Sequence, residues 1–126
     1  MASSVEVNDD AFLDQAIAEA RRGLSEGGVP IGAVLVAADG TVLGRGCNQR
    51  VQKSAPLLHG EMAALDSAGR LPASVLRGST MYTTLSPCAM CSGAMILYKI
   101  KRCIIAENQT FMGEEELLKS RGVEVS

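Results

Sequence analysis

The chain has 126 residues, 47% of them hydrophobic and 21% charged, which is one domain's length and the composition of a folded globular protein, not a disordered one. Twelve Lys and Arg against fourteen Asp and Glu leave a net charge of −2, so no overall positive field favours a nucleic-acid backbone or an anionic membrane. Two Phe, two Tyr and no Trp offer little for stacking successive bases, and no apolar run approaches the roughly 18 residues of a membrane span.

In chain order, Met1-Ala2-Ser3-Ser4-Val5-Glu6 has neither the basic n-region nor the apolar h-region of a secretory leader, so a soluble cytoplasmic protein, free to diffuse into the nucleus, is expected. Over 9–26, Leu13, Ile17, Ala20 and Leu24 recur at helical steps, which predicts an amphipathic helix capped by Asn8 or Asp9 and stopped by Gly27-Gly28. Past Pro30, apolar runs at 31–36 and 42–46 flank Asp39-Gly40, predicting two antiparallel strands joined by a type I′ turn. A polar stretch over 48–57 leads into a predicted helix over 58–68 with Gly69 at its C′ position. The β-branched and aromatic run 80–85 predicts a strand. Ser86-Pro87 breaks it, with Ser86 as cap and Pro87 in the first turn of a helix over 88–98. A short strand over 103–106 then completes a crossover that places two parallel neighbours in one sheet. A helix over 114–119 and a strand over 123–125 close the chain. The interleaved order predicts one layered α/β domain over 1–126 on a mixed sheet.

Three pieces carry chemistry: His59-Gly60-Glu61, Pro87-Cys88-Ala89-Met90-Cys91, and Asn48 upstream of both. Four cysteines in a chain without a secretory signal, two of them three positions apart, favour metal or catalytic use over disulfides. Cys88 and Cys91 share one face of a first helical turn, where the positive end of the helix dipole favours thiolates. His59 is the only histidine, hence the only imidazole. One imidazole and two thiolates are three protein ligands, and zinc held so keeps a fourth position open for chemistry. Glu61 lies about 200° round a helix from His59 and suits a proton carrier better than a fourth ligand.

An H-x-E with a later P-C-x-x-C is the pattern of zinc deaminases. Together with Gly27-Gly28-Val29-Pro30-Ile31-Gly32, Leu58-His59-Gly60-Glu61, Tyr82-Thr83-Thr84-Leu85-Ser86-Pro87-Cys88 and Cys91-Ser92-Gly93-Ala94, it makes the sequence resemble the cytidine deaminase superfamily over most of its length. Gly60 inside the H-x-E, Ser86 before Pro87 and the stretch 102–108 make it similar, within that superfamily, to the fungal-type cytosine deaminases that act on the free base.

The resemblance implies a three-layer α/β/α fold on a mixed five-stranded sheet. It implies one zinc ion per chain, held by His59, Cys88 and Cys91, and hydrolytic deamination of cytosine to uracil and ammonia in pyrimidine salvage. Glu61 would move protons from the attacking water to ring N3 and then to the departing amine. Asn48 would hydrogen-bond the pyrimidine edge, the backbone at Gly60 and Ser86 would contact the base, and Ile31, Leu85, Met90 and Phe111 would wall it. A homodimer acting on a small pyrimidine base, without membrane or nucleic-acid partners, is implied as well. The family's chains continue past the last strand into a C-terminal helical segment that packs over the pocket and supplies an acidic contact and an aromatic wall; this sequence stops at Ser126 without it.

The same residues have plainer uses. Cys88 and Cys91 could be buried small hydrophobes, Glu61 a carboxylate complementing a helix start, and Asn48 a turn residue. Pro87, the cysteine spacing and the matching His59-Gly60-Glu61 favour ligation. Met62, Met90 and Met95 read as core filling, Cys47 and Cys103 as buried reduced thiols, and Glu114-Glu115-Glu116 as a solvated helix start without function. A tRNA-type adenosine deaminase shares the metal motif but usually has Glu and Ala where Ser86 and Gly60 stand; guanine deamination lies within the same chemistry. A non-catalytic module stapled by zinc is the alternative from another class. Finally, helix 89–100 is apolar or small on nearly every side, and a sheet covers only one, which predicts a second copy against the other.

Overall fold

Helix α1 (Asp9–Ser25) starts where the sequence supplies a cap: the Asn8 side chain accepts a hydrogen bond from the Ala11 N–H at 3.1 Å. The structure, a computed structural model, describes residues 8–126, so the first six residues, read above as unlike a leader, lie outside it. Ala16, Ala20 and Gly23 form the stripe of α1 that faces the sheet. Leu24, expected on that face, stands about 100° round from Gly23 and is 60% exposed.

Strands β1 (Gly32–Val36) and β2 (Val42–Cys47) form the expected antiparallel hairpin. Its turn is not type I′, which needs positive φ at both central residues; only Gly40, at φ +91°, has it. Gly40 N–H donates to the Ala37 carbonyl at 2.9 Å, and the Asp39 carboxylate accepts from Thr41 N–H at 2.9 Å, so Asp39 shapes the turn through its side chain. Helix α2 (Gly60–Ala68) begins after its cap, His59, whose backbone is extended, and ends at Gly69 with φ +72°. A one-turn helix, α3 (Ala73–Arg77), follows Pro72; no residue in it is buried, so no apolar period announced it.

Strand β3 (Thr80–Leu85), helix α4 (Ala89–Leu97) and strand β4 (Arg102–Glu107) make the expected crossover, with β3 and β4 parallel. Cys88, not Ser86, caps α4, because the Ser86 hydroxyl is drawn to Glu115 instead. Helix α5 (Glu115–Ser120) and strand β5 (Glu124–Val125), parallel to β4, complete a mixed five-stranded sheet in the order β2-β1-β3-β4-β5. Strand alternation sorts the core into two layers. Val34, Val36, Tyr82 and Ile104 meet Ala16 of α1 on one face; Ala33, Leu35, Met81 and Cys103 meet Ala64, Met95 and Leu118 of α2, α4 and α5 on the other. The three-layer α/β fold is therefore present. Among the described residues no helix is long and apolar enough to cross a membrane. Cys47 and Cys103 are buried free thiols, Met95 is buried, and Met62 and Met90 pack partly buried against the core.

Backbone approaches backbone where glycines allow it. A Cβ on Gly32 would land on the carbonyl of Ala16 and 2.5 Å from Ala20 N in α1; one on Gly44 would land on the carbonyl of Ala64 and 2.6 Å from Ala68 N in α2.

The first turn of α1 is stapled to the sheet by Asp9, which accepts from the Tyr82 hydroxyl at 2.5 Å and pairs with Arg102 at 2.7 Å. The Arg102 guanidinium holds the Asp9 carboxyl below its usual range. A depressed folded-state pKa contributes stability that is complete above the ordinary carboxylate pKa and lost as the pH falls through the lowered one. Asp9→Asn is expected to lower stability at pH 7 by about 1 kcal/mol, since the pair is partly exposed and screened. In urea unfolding that deficit should fade below about pH 4; a deficit constant from neutral to acid pH would contradict the charge account.

Candidate metal centre and active site

The loop over 48–58 folds back on itself: Gln49 N–H donates to the Leu58 carbonyl at 2.9 Å and Asn48 N–H to the Ile31 carbonyl at 2.9 Å. Gly60 packs on the same strand entry, where an added Cβ would stand 3.2 Å from the Ile31 carbonyl oxygen. Ile31, Asn48, His59 and Gly60 are thereby gathered at one end of the sheet. From the other direction β3 runs into Ser86-Pro87 and the cap of α4. His59 caps α2 and Cys88 caps α4, so two helix N-termini, each with a positive dipole end, converge on one volume.

There, His59 Nδ1 lies 3.5 Å from Cys88 Sγ and 3.7 Å from Cys91 Sγ, and the donor atoms of all three lie within 4.8 Å of one another. Glu61, in the first turn of α2, is 4% exposed and is pushed up to about 7 by burial. Burial, then Glu61 and Cys88, drive the Cys91 thiol far above its ordinary range. Ionised together in so small a space, two thiolates and a carboxylate would need a cation to balance them, and one imidazole with two thiols is a donor set suited to zinc. Cys47 lies against α1 at Gly23 and Cys103 on β4 within the core, so among the described residues the cluster holds three protein donors, not four. A set of three leaves a coordination position for reactants.

Around the cluster, Asn48 is buried, and its side-chain oxygen accepts from Arg50 N–H at 2.9 Å, which orients the amide. Ser86 is buried too. Its N–H donates to the Glu107 carbonyl at 3.1 Å, and its hydroxyl donates to Glu115 at 2.6 Å and accepts from Gly113 N–H at 2.8 Å. Ile31, Leu85 and Met90 are half-buried, whereas Phe111, on the loop over 108–114, is 44% exposed. The sequence reading missed Glu115, taken for a solvated helix start; its partner Ser86 is 29 residues away and no local pattern links them.

The model of the cytidine and deoxycytidylate deaminase zinc-binding region matches residues 6–107. The chain is 51% identical over 118 residues to a cytosine deaminase of Candida albicans, covering 94% of this chain and 79% of that protein. It is 38% identical to a tRNA-specific adenosine deaminase of Streptococcus pyogenes, covering 84% of this chain and 67% of that one. The guanine deaminase structure from Nitrosomonas europaea superposes with a TM-score of 0.76 over 97% of this chain and 78% of that one, at 21% identity, a likeness of fold alone. The donor set predicts one zinc per chain in the purified protein by atomic emission, most of it lost in Cys91→Ser; undiminished zinc in that variant would remove Cys91 from the set. With the family region matched across most of its length and its three metal donors in one cluster, the chain belongs to the cytidine and deoxycytidylate deaminase zinc-binding family.

Proposed function

We propose that this chain hydrolyses cytosine to uracil and ammonia, with one zinc held by His59, Cys88 and Cys91. The observation that carries the proposal is the convergence of an imidazole, two thiols and the buried Glu61 carboxyl on one volume beside Asn48. Identity to the Candida albicans cytosine deaminase, higher than to the tRNA-specific adenosine deaminases, selects the substrate.

Bound there, zinc supplies the Lewis acidity that makes water a competent nucleophile near neutral pH. Glu61 carries the protons. It takes one from the attacking water, gives it to ring N3 as C4 becomes tetrahedral, and passes one to the exocyclic amine, which leaves as ammonia while the C4 carbonyl of uracil forms. Cytosine plus water thus balances uracil plus ammonia. Burial lifts the Glu61 carboxyl to about 7 and hydrogen bonding acts in the opposite sense, which keeps both its protonation states within reach. Asn48, its oxygen committed to Arg50, donates its amide to the ring carbonyl. The Gly60 N–H, an orphan donor in the first turn of α2, and the Ser86 carbonyl contact the base edge. Ile31, Leu85, Met90 and Phe111 form the apolar walls.

The chain acts as a homodimer in the cytoplasm, in pyrimidine salvage. Four reduced cysteines suit a reducing compartment. On α4 and its cap, Leu97 is 69% and Tyr98 49% exposed, an apolar strip that a second copy would cover.

Glu61→Gln should keep its zinc and lose about 10²- to 10⁴-fold in turnover of cytosine; undiminished turnover would end this mechanism. Assayed beside cytosine, a tRNA anticodon stem-loop and guanine should release no ammonia, and deamination of either would reassign the substrate. Sedimentation at micromolar concentration should give a dimer that Leu97→Asp converts to monomer; a monomeric parent protein would refute the assembly.

A further inference from the structure

We infer that Glu115 is a positioning residue for this site, its carboxylate fastening the Ser86–Pro87–Cys88 turn to the loop over 108–114. The inference rests on the cytosine deaminase function proposed above. One carboxylate oxygen of Glu115 accepts from the Ser86 hydroxyl at 2.6 Å and from the Asn108 amide at 3.2 Å, so a single atom joins the metal-ligand turn to the loop's first residue. The far end of the loop is tied to the same turn: Gly113 N–H donates to the Ser86 hydroxyl at 2.8 Å, and Glu114 N–H donates to the Pro87 carbonyl at 2.9 Å. Gly113 is pressed so close that an added Cβ would land on that carbonyl.

Segment 107–115 therefore engages the Ser86 N–H, the Ser86 hydroxyl and the Pro87 carbonyl. Among the described residues the Ser86 carbonyl is the polar group of the Ser86–Pro87 pair that accepts no hydrogen bond, and it is the group proposed to meet the base. Hydroxyl and carbonyl belong to one residue, and the proline that follows fixes its own φ, so the hydroxyl's anchor sets where the carbonyl faces and where Cys88 stands. A charge-assisted bond to a buried hydroxyl is strong, and removing its acceptor leaves that hydroxyl unsatisfied. The anchor is rigid because α5 is rooted in the core through fully buried Leu118. The next residue, Glu116, has a side chain 92% exposed and pairs only with Lys119 among the described residues.

The test compares Glu115→Ala, Glu115→Gln, Ser86→Ala and Glu116→Ala in the zinc-loaded protein. It reads KM and kcat for cytosine and the rate of zinc release to a chelator. Glu115→Ala should raise KM tenfold or more with kcat changed less than threefold, and should release zinc tenfold faster. Glu115→Gln, which keeps an acceptor for the Ser86 hydroxyl, should recover both to within threefold, and Glu116→Ala should match the parent. Should Glu115→Ala fail to fold, Ser86→Ala, which deletes the donor of the same bond, carries the same expectations. Unchanged KM and zinc release, or Glu115→Gln as impaired as Glu115→Ala, would overturn the inference. A parent protein inactive on cytosine would defeat the proposed function and leave zinc release to decide on Glu115.

Discussion

Two thiolates and a buried carboxylate repel one another, and their confinement to a few ångströms is the condition to which the rest of the molecule answers. Converging helix N-termini answer part of it, each contributing roughly half a positive charge where Cys88, Cys91 and Glu61 stand. A divalent cation answers the rest. The sheet exists, in this sense, to hold α2 and α4 with their first turns facing one another against that repulsion. Burial raises both Glu61 and Cys91, and for Cys91 the neighbouring Glu61 and Cys88 add to the rise.

What could be read in the amino-acid sequence followed the range of the interaction concerned. Cys88 and Cys91 are three residues apart and His59 and Glu61 two, so local spacing revealed the donor set and singled out Glu61, the proposed proton carrier. The five strands and four of the helices carried period or turn signals and were legible to within two residues at their ends. Helix α3 buries nothing and left no pattern. The hairpin was legible and its turn was not, because an Asp-Gly pair serves several turn types and only the backbone angles at Asp39 and Gly40 separate them. Ser86 looked like a helix cap since serine before proline commonly is one; a carboxylate 29 residues downstream outcompeted the helix for its hydroxyl.

Asp9, Tyr82 and Arg102 show the same limit from the structural side. Their network crosses 73 and 93 residues of sequence to tie the first turn of α1 to the centre of the sheet, and each member taken singly looks like an ordinary surface or strand residue. The Phe12 ring, 5.3 Å from that of Tyr82, completes the joint with apolar contact. The chain's few aromatics are thus partly spent on anchoring a helix, on the face of the sheet opposite the metal centre.

The glycines under α1 and α2 have a consequence for how the site tolerates change. Where side chains interdigitate, a helix can slide or rise as neighbouring volumes vary, and cores accept many such exchanges. At Gly32 and Gly44 the strand backbone itself is the bearing surface, with no side chain whose rotamer could absorb a shift. The height of α2 above the sheet, and with it the reach of His59 and Glu61 toward the two cysteines, is therefore fixed by backbone thickness and not by packing. Sequence drift elsewhere in the core can alter how firmly the domain holds together while leaving the metal donors in register.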